Sequence, residues 1–588
     1  MSRYETTKRK NMRCLPVFAL LLLLAGSAIQ SIDAQIKLGK KSWLSAYSRS
    51  IQYADTYGSD AAVEDSLTSR KKYSGHTLVD LVTNIQPNEN TYINATLRVR
   101  NDHGGFWGSG ATFDLRTLYI RGIIANVIQY QVGDIDYKLT PYTLQNNQEE
   151  LSGMEPTIFS VQRDMVYHDR FYDVNNTWRQ QGAAFNFGLS FNKGIKEIEN
   201  DFFIFRQNAA GISGGLERLY GGFRTVLVQS QYLDFHLNYV NAFDIRETGA
   251  SEDYFQNPVL TGGVNLNFSR EKWNFSLHSE LGRSKLVMEN SADSLALRDY
   301  FYDVKFKVMH KKSRLNFTLG LKEVGPGFRS IGAQTKRLLF DRSPLAFQRY
   351  GNEQNFRSSG LIDQMRDASL YNNRLSTSLM TFDPAYGNYQ PYGEATPNRR
   401  GFYGRLNWED KKERFDFETE LAMAEEVVGQ GAPELKSFMH LRTTFGFNID
   451  QLIPGLNKKT ALTLSFWNEN TTRDADSEFV TLDLGNQALS ADLECNFYGK
   501  FDFLAGVQMH SSSGNEFLRR TDLFGQVVSF DVYETDFSQL MAGAGIRYRF
   551  NAKNSLDLQF NRYSFQNNLV PESDYHLNNL TLLFSMKL

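Results

Sequence analysis

Segments in which every second side chain is apolar recur along most of this chain, and they constrain its fold more than any other feature. In the final stretch, apolar residues occupy alternate positions: Leu580, Leu582, Phe584, Met586 and Leu588. The residues between them are mostly polar, so a β-strand here has one apolar face and one polar face. Such a strand needs partners for its backbone amides and carbonyls on both edges. The sequence therefore predicts many further strands in the same sheet.

Short and long connections alternate between the predicted strands. The short ones are turns at 87–90, 123–126, 193–200, 230–231, 270–272, 311–313, 410–412, 450–458, 499–500 and 551–554. The long ones are polar loops at 102–112, 138–181, 207–219, 245–257, 285–298, 324–398, 426–434, 472–486, 512–536 and 568–576. Outer-membrane barrels sort their connections in this way, with short periplasmic turns and long extracellular loops. The alternation predicts an all-β chain that folds as a transmembrane antiparallel up-and-down β-barrel.

The number of strands must be even if both termini lie on the same side of the membrane. The first clear strand, near residue 76, leads into a short turn, so it begins on the long-loop side. One earlier strand is needed if both termini lie on the same side, and residues 41–53 can supply it. The prediction is about 22 strands, within a range of roughly 20–24, in a single domain at 35–588.

The N-terminus has the three-part layout of a secretory signal peptide. Basic residues precede an apolar run from Leu15 to Ala25, and small residues follow it, with a predicted cleavage after Ala34. The run is shorter than the roughly 18–20 apolar residues that a spanning helix needs, which favours a signal peptide at 1–34 over an anchor. Cys14 lies in that segment, so Cys495 is alone in the mature chain and no internal disulfide can form. Sec-type export is the expectation.

Signatures of enzymes and metal sites are weak. The 211–215 segment matches the nucleophile-elbow pattern, but no strand-to-helix turn is predicted there, which favours a flexible glycine-rich loop. Asp474, Asp476 and Glu478 alternate in a predicted outer loop without the glycine and spacing of a calcium loop, which favours a solvated acidic loop. The nine histidines show no paired metal-ligand spacing. The sequence predicts no enzyme activity, no catalytic residue, no metal site and no cofactor.

If the apolar face of each strand meets lipid, the alternate side chains line the lumen, and many of them are charged. The candidate lumen-lining residues are Arg98, Arg100, Asp114, Arg116, Asp416, Glu418, Glu420, Asp492, Glu494, Asp502, Arg547 and Arg549. Opposite charges on adjacent strands would form ladders that fill the interior. A basic wall that faces an acidic wall would instead impose a transverse field on passing solutes. The sequence leaves both arrangements open.

These features resemble a Gram-negative outer-membrane β-barrel over nearly the whole mature chain. The Ala-Gln end of the signal peptide and the strands rich in Tyr and Asn are similar to exports of the Bacteroidota. The final segment resembles the C-terminal strand that barrel-assembly machinery recognises, with Leu588 in place of the usual terminal aromatic residue. The strand number is similar to that of TonB-dependent transporters, but too few residues precede the first clear strand for their N-terminal plug. The resemblance implies an outer-membrane location and transfers no substrate.

Two functions fit this architecture. The first is a porin-like channel for passive solute passage, with the 324–398 loop folded into or over the lumen. The second is a non-conducting barrel that serves as a subunit of an envelope protein-secretion or outer-membrane assembly complex, with long loops as docking surfaces. The predicted partners are outer-membrane lipid and, through the loops, other envelope proteins. Nucleic acid is excluded, because Lys plus Arg (64) does not exceed Asp plus Glu (66).

Overall fold

A closed antiparallel β-barrel of 22 strands accounts for most of the chain. The computed structural model describes residues 36–39, 41–59, 70–104, 107–145, 154–169, 180–208, 217–245, 254–289, 294–334, 337–338, 361–366, 371–372, 375, 377–379, 382–453, 455–456, 458–477, 480–521 and 527–587. The predicted signal peptide, the 211–215 segment, Glu478 and Leu588 lie outside these residues. The predicted up-and-down barrel is confirmed, with the predicted number of strands.

The strands are numbered in chain order. They are β1 (Ile36–Gly39), β2 (Ser42–Ser59), β3 (Arg70–Asn88), β4 (Thr91–Gly104), β5 (Trp107–Ile124), β6 (Ile128–Asp134), β7 (Gln181–Ser190), β8 (Glu197–Asn208), β9 (Arg218–Val228), β10 (Leu233–Asp244), β11 (Tyr254–Arg270), β12 (Trp273–Glu289), β13 (Ser294–His310), β14 (Leu315–Val324), β15 (Arg337–Leu338), β16 (Tyr371–Asn372), β17 (Arg399–Glu409), β18 (Phe415–Glu425), β19 (Ser437–Asn448), β20 (Thr460–Arg473), β21 (Leu482–Tyr498), β22 (Phe501–Thr521), β23 (Val527–Arg549), β24 (Asn554–Asn567) and β25 (Tyr575–Lys587).

The barrel closes between its first and last strands. β2 pairs with β3 on one side and with β25 on the other, where Ile51 lies opposite Leu583. β14 pairs directly with β17, so the long insertion between them adds no strand to the wall. β1 forms a hairpin with β2 beyond the end of β25, and β15 pairs only with β16. The wall therefore consists of β2–β14 and β17–β25.

The period-two sequence decides which side chains face outward. In β12, Leu281 is 63% exposed on the outer surface, whereas the adjacent Glu280 is 2% exposed. The same outward apolar exposure recurs on strands around the wall, at Leu118, Ile204, Leu237, Leu260, Phe306, Leu319, Leu421, Phe445, Leu464, Leu489, Leu540, Ile546, Leu558 and Leu580. The outside of the cylinder is therefore an apolar surface of the kind that lipid covers.

The predicted short turns all join neighbouring strands, but some predicted long loops are strand. β4 continues to Gly104 and β5 begins at Trp107, so most of the predicted loop 102–112 is a hairpin. β22 continues to Thr521 and β23 begins at Val527, so the predicted loop 512–536 is mostly a two-stranded ribbon. Beyond the apolar surface neither face of a strand needs apolar residues, so the alternation disappears while the backbone ladder persists. The prediction of a loop at 285–298 was wrong for the same reason, since β12 continues to Glu289 and β13 begins at Ser294.

Pro258 lies inside β11, although a proline has no N–H to donate to the ladder. The ladder between β11 and β12 has no paired residues at Asn257 and Pro258. Asn257 Nδ2 donates to the Lys285 carbonyl at 3.0 Å. The missing proline N–H is tolerated because the ladder is interrupted at this position.

Short helices occupy connections between the described strands. They are α1 (Ser160–Asp164), α2 (Leu361–Arg366) and α3 (Ile449–Leu452), with 3-10 turns at Thr157–Phe159, Ile331–Ala333, Pro384–Tyr386 and Pro571–Ser573 and a π turn at Met165–Asp169. No helix in the described part of the chain is long and apolar enough to span a membrane.

Candidate functional site: the barrel lumen

Segment 154–169, which contains α1, is held against the inner wall by a buried charged cluster. The Asp169 carboxylate lies at its centre: His76 Nε2 is 2.7 Å and Arg49 Nε is 3.2 Å from Oδ2. Beside it, Arg98 donates two hydrogen bonds of 2.6 Å to the Asp80 carboxylate. Arg98 also donates to the Asp169 carbonyl at 3.0 Å. These contacts join the segment to β2, β3 and β4.

Further contacts complete this set, which we call the Asp169 cluster. His168 Nδ1 lies 2.6 Å from Asp169 Oδ1, and Arg100 donates to the Asp169 carbonyl at 3.0 Å. Arg116 on β5 is 3.1 Å from Asp80, and Asp164 is 2.9 Å from Arg49. The Asp169 cluster comprises Arg49, His76, Asp80, Arg98, Arg100, Arg116, Asp164, His168 and Asp169.

Two groups of the segment have shifted ionisation. Burial opposes ionisation of Asp169, but hydrogen bonds from His168 and His76 and the charge of Arg49 outweigh it, so the pKa of this carboxyl is well below its usual value. Burial also opposes the charged form of His168. Hydrogen bonds to Asp169 and Asp80 outweigh it and raise the pKa of His168. The Asp169 cluster therefore favours an ionised Asp169 and a protonated His168.

The other side of segment 154–169 packs on β21–β25. Thr157 Oγ1 donates to Asp492 Oδ2 at 2.6 Å, and Gln162 Nε2 donates to Asn579 Oδ1 at 3.1 Å. A Cβ added at Gly506 would lie 2.6 Å from Pro156, so the glycine allows the segment to approach the wall closely. The segment thus lies across the junction where the barrel closes.

A second set of insertions packs on β8–β14 through apolar contacts. Segments 135–145 and 325–334 supply Tyr142, Phe328 and Ile331, which are at most 2% exposed. The Tyr142 ring stacks on Phe301 of β13 with centroids 3.9 Å apart, and the Tyr220 hydroxyl of β9 donates to the Thr143 carbonyl at 3.0 Å. We call this set, with the wall residues that it buries, the aromatic cluster.

The end of the long insertion, residues 382–398, makes polar contacts with the wall. The Asn388 and Tyr389 amides both donate to Glu469 of β20, the second at 3.0 Å. Lys322 of β14 donates to Glu394 at 2.6 Å. Burial opposes ionisation of Glu394, but the charges of Lys322 and Arg405 outweigh it and lower the pKa to about 2. This segment therefore joins β14 to β20 through charged groups.

Helix α2 combines both kinds of contact. Arg366 donates to both carboxylate oxygens of Asp55 on β2, at 2.8 and 3.0 Å. Leu361, Ile362 and Met365 are buried in an apolar cluster shared with residues of β22–β25. Of the insertion predicted at 324–398, the parts that the structure describes thus contact the inward face of the wall at several points.

A cavity of about 320 Å³ remains between segments 135–145 and 382–398 and the wall at β12–β14 and β17. Its lining includes many polar and charged side chains. The lining residues are Pro141, Gln145, Ser276, His278, Asp303, Lys305, Lys307, Thr318, Glu394, Tyr403 and Arg405. The lining carries charges of both signs, and Arg405 lies 3.0 Å from both Glu394 and Glu420.

The structure places many of the predicted lumen-lining residues in ion pairs. The pairs are Arg98 with Asp80, Arg116 with Asp80, Arg100 with Asp102, Glu420 with Arg405, Arg547 with Asp557, and Asp502 with Arg549. Apart from the pair within β4, these pairs join different strands, as in charge ladders. Asp492 accepts from Thr157 instead. Within the described residues Asp114, Asp416, Glu418 and Glu494 form no ion pair. Their role in an open lumen stays a prediction.

Sequence reasoning missed the residues that insertions contribute. Asp169 and His168 belong to the predicted loop 138–181, which has no periodicity, so nothing in the sequence indicates that they meet β2–β4. The structure also brings together His236, His278 and Glu280, whose ligand atoms lie within 4.8 Å of one another. Their sequence positions show no metal-ligand spacing, because β11 separates the two strands that carry them.

Comparisons with known proteins gave structural matches of low similarity and no sequence match. No protein-family model and no curated protein match the chain. It is similar to the P pilus usher (PapC) translocation pore, with 7% identity, a TM-score of 0.32, and 92% of this chain and 99% of that chain covered. Pseudomonas aeruginosa OpdO shows 9% identity, a TM-score of 0.34 and coverage of 93% and 97%. P. aeruginosa OprD, an outer membrane protein, shows 7% identity, a TM-score of 0.34 and coverage of 93% of both chains. Similarity at this level gives no information on function.

Proposed function

We propose that this chain is an outer-membrane barrel that acts as a porin-like channel for small polar solutes, with its lumen narrowed by inserted segments. The observation that carries the proposal is the two-sided wall. Apolar residues such as Leu281 and Leu540 are exposed on the outside, whereas the inward faces carry ionised and amide side chains. A closed cylinder of this kind satisfies its backbone inside a bilayer and encloses a polar interior.

The inserted segments support a narrowed lumen. Segment 154–169 contacts β2–β4 and β21–β25, and segments 135–145 and 325–334 contact β8–β14. A barrel of this strand number without insertions would have a wide lumen. The remaining charged cavity favours small hydrophilic solutes over apolar ones, because charged linings select by sign and size.

Docking to a larger envelope complex is less well supported. The long loops were expected to offer outward docking surfaces, but their described parts make many of their contacts with the inner wall. Asn388 and Arg366, for example, are 3% and 5% exposed and bind Glu469 and Asp55 inside the barrel. Groups that are buried in the lumen are not accessible to a protein partner.

The finer assignments follow from the N-terminal sequence. Basic residues followed by an apolar run and then by small residues up to Ala34 support Sec-type export. The Ala-Gln end supports a Bacteroidota origin. Sequencing the N-terminus of the protein isolated from outer membranes tests the first of these. A mature chain that begins at Gln35 is the expected result, and a retained Leu15–Ala25 run would contradict it.

Single-channel recording in planar bilayers tests the channel. Asp134 at the end of β6 pairs with Gln181 at the start of β7, so residues 138–178 can be replaced by a short turn without separating the two strands. This deletion removes segment 154–169 and most of 135–145, and we expect a several-fold rise in conductance. As a control, residues 522–526, which join β22 to β23 in the sequence, are replaced by Asn-Gly, which should leave conductance unchanged. Absence of discrete conductance in both folded forms would exclude a channel.

A further inference from the structure

The inner wall at β10–β12 holds two histidines and a glutamate that converge from separate strands. We propose that His236 on β10 and His278 and Glu280 on β12 form a binding site for a divalent transition-metal ion of the Zn²⁺ class. Two imidazoles and one carboxylate are a common ligand set for zinc. The site is independent of whether the barrel conducts, because it rests on these side chains alone.

The distances suit metal coordination. The three ligand atoms all lie within 4.8 Å of one another, so a central ion is at most about 2.8 Å from each. Zinc binds imidazole nitrogen at about 2.0–2.1 Å and carboxylate oxygen at about 2.0–2.2 Å. Each ligand atom thus needs to move inward by less than about 1 Å, which side-chain rotation supplies.

A glycine explains how His236 reaches across a strand. β11 lies between β10 and β12, and Gly263 pairs with His236 on one side and with Glu280 on the other. A Cβ at position 263 would lie 2.5 Å from His236 Nε2. Any larger residue would therefore occupy the space through which the imidazole extends toward His278. A glycine in a strand marks such a close approach.

Hydrogen bonds orient the second imidazole. His278 Nδ1 contacts the Asn265 side-chain oxygen, and Asn265 Nδ2 donates to Asp234 at 2.6 Å. Because the Asn265 oxygen is an acceptor, Nδ1 carries the proton and Nε2 keeps its lone pair. Histidine ligands of metals commonly donate their other N–H to an oxygen in this way. The chain from Asp234 through Asn265 thus prepares His278 Nε2 for coordination.

The other two ligands are buried without full compensation. His236 is 8% exposed, and its Nε2 has no hydrogen-bond partner. Glu280 is 2% exposed and accepts from Thr140 Oγ1 at 2.8 Å, but no Lys or Arg in the described residues forms an ion pair with it. The nearby Lys305 lies 3.6 Å from Asp303 instead. An unpaired imidazole nitrogen and an uncompensated carboxylate are costly when buried, and a cation between them removes both costs.

The site leaves room for a further ligand. His278 also lines the cavity of about 320 Å³ that contains Lys305, Lys307 and Arg405. A metal with three protein ligands keeps a fourth position for water or a solute group. The site is thus open to the lumen.

Equilibrium dialysis with Zn²⁺ tests the proposal on the full-length barrel, refolded in detergent without a histidine tag. One Zn²⁺ per chain should bind, as measured by mass spectrometry of the metal. His236→Asn and Glu280→Gln should each weaken Zn²⁺ binding by at least about 100-fold, because loss of a ligand exceeds the 10–100-fold cost of losing a supporting contact. The matched control is His310→Asn on β13, outside the cluster, which should bind as the parent does. Equal affinity in the parent and in a folded H236N/H278N double variant would overturn the site.

Co²⁺ substitution in the unaltered protein covers the case in which the variants do not fold. A tetrahedral site with two imidazoles gives an intense visible absorption band, which stoichiometric Zn²⁺ should abolish. A weak spectrum like that of Co²⁺ on surface carboxylates, or no uptake, would overturn the proposal without any substitution.

Discussion

The inserted segments are attached to two regions of the wall by different chemistry. Against β2–β4, segment 154–169 is held by the Asp169 cluster, in which side chains such as Arg49 and Asp169 are buried and ionised. Against β8–β14, segments 135–145 and 325–334 are held by the aromatic cluster, built from residues such as Tyr142, Phe328 and Ile331. Both regions place an insertion inside the barrel.

The difference lies in how each attachment responds to change. Charges gain stability in the interior only when each one has its partners, because desolvation of an unpaired ion costs several kcal/mol. Apolar contacts contribute roughly in proportion to the area that they bury. The buried members of the Asp169 cluster should therefore fail together, whereas the aromatic cluster should weaken in steps. Amide hydrogen exchange, read by mass spectrometry on peptides from both regions, follows the two attachments in one sample.

The largest effect is expected for Asp169→Asn. Asparagine keeps the shape but removes the buried carboxylate charge that faces Arg49, which then loses one of its two acidic partners. Removing one member of a buried pair costs about 3–5 kcal/mol. Exchange in peptides that cover 157–169 should rise by more than about 100-fold, since 1.4 kcal/mol is about tenfold.

The matched control for that variant is Asp164→Asn on the same segment. Asp164 also pairs with Arg49, at 2.9 Å, but its side chain is 52% exposed. Exposed ion pairs contribute only about 0–1 kcal/mol, so exchange should change little. Equal effects of the two substitutions would show that burial does not decide which charges hold the segment.

A smaller, graded effect is expected in the aromatic cluster. Ile331 is 2% exposed, and Ile331→Val removes one methylene from it. The cost should be about 0.5–1.5 kcal/mol, seen as faster exchange in peptides that cover 325–334, while 157–169 stays unchanged. Ile331→Ala should extend the same trend to about 2–5 kcal/mol. A change in 157–169 of similar size would show that the two attachments are coupled.

The fold of the wall was predictable because lipid and lumen impose a strict pattern on each strand. Alternation identified the strands, and the placement of short turns identified their order. The boundaries at the long-loop end were not predictable, since residues such as Leu518 and Asp531 pair in a ribbon beyond the apolar surface, where the pattern has no cause. β2 was weakly indicated because inward residues such as Ile51 are also apolar.

Of the residues in the lumen site, only those on the wall strands were predictable. Inward charges such as Arg98 and Asp492 follow from strand parity, but their partners Asp169 and Thr157 come from an insertion without periodicity. The convergence of His236 with Glu280 depends on strand register and on one glycine between them. Register is a property of the pairing of strands and is not visible in one strand's sequence.

The smallest effect concerns pH and separates the two attachments without any substitution. His168 faces Asp169 Oδ1 at 2.6 Å, Asp80 Oδ2 at 3.6 Å and the Arg98 guanidinium at 3.4 Å. Its pKa is raised, so the stabilisation is fully present below the unfolded value of about 6.5 and is lost as pH rises through the folded value. The change is small, because about a third of this side chain is exposed and water screens its charge.

The measurement compares exchange protection factors at pH 6 and pH 9 in peptides that cover 157–169 and 325–334. Protection of 157–169 should fall modestly at the higher pH, whereas 325–334, whose attachment has no comparable titrating group among its aromatic contacts, should stay constant. His168→Gln should remove the pH dependence of 157–169, because glutamine keeps a hydrogen-bonding side chain but does not titrate. A parallel fall in both segments would mean that pH acts on the whole barrel, and the contrast between a charged and an apolar attachment would then not govern the response.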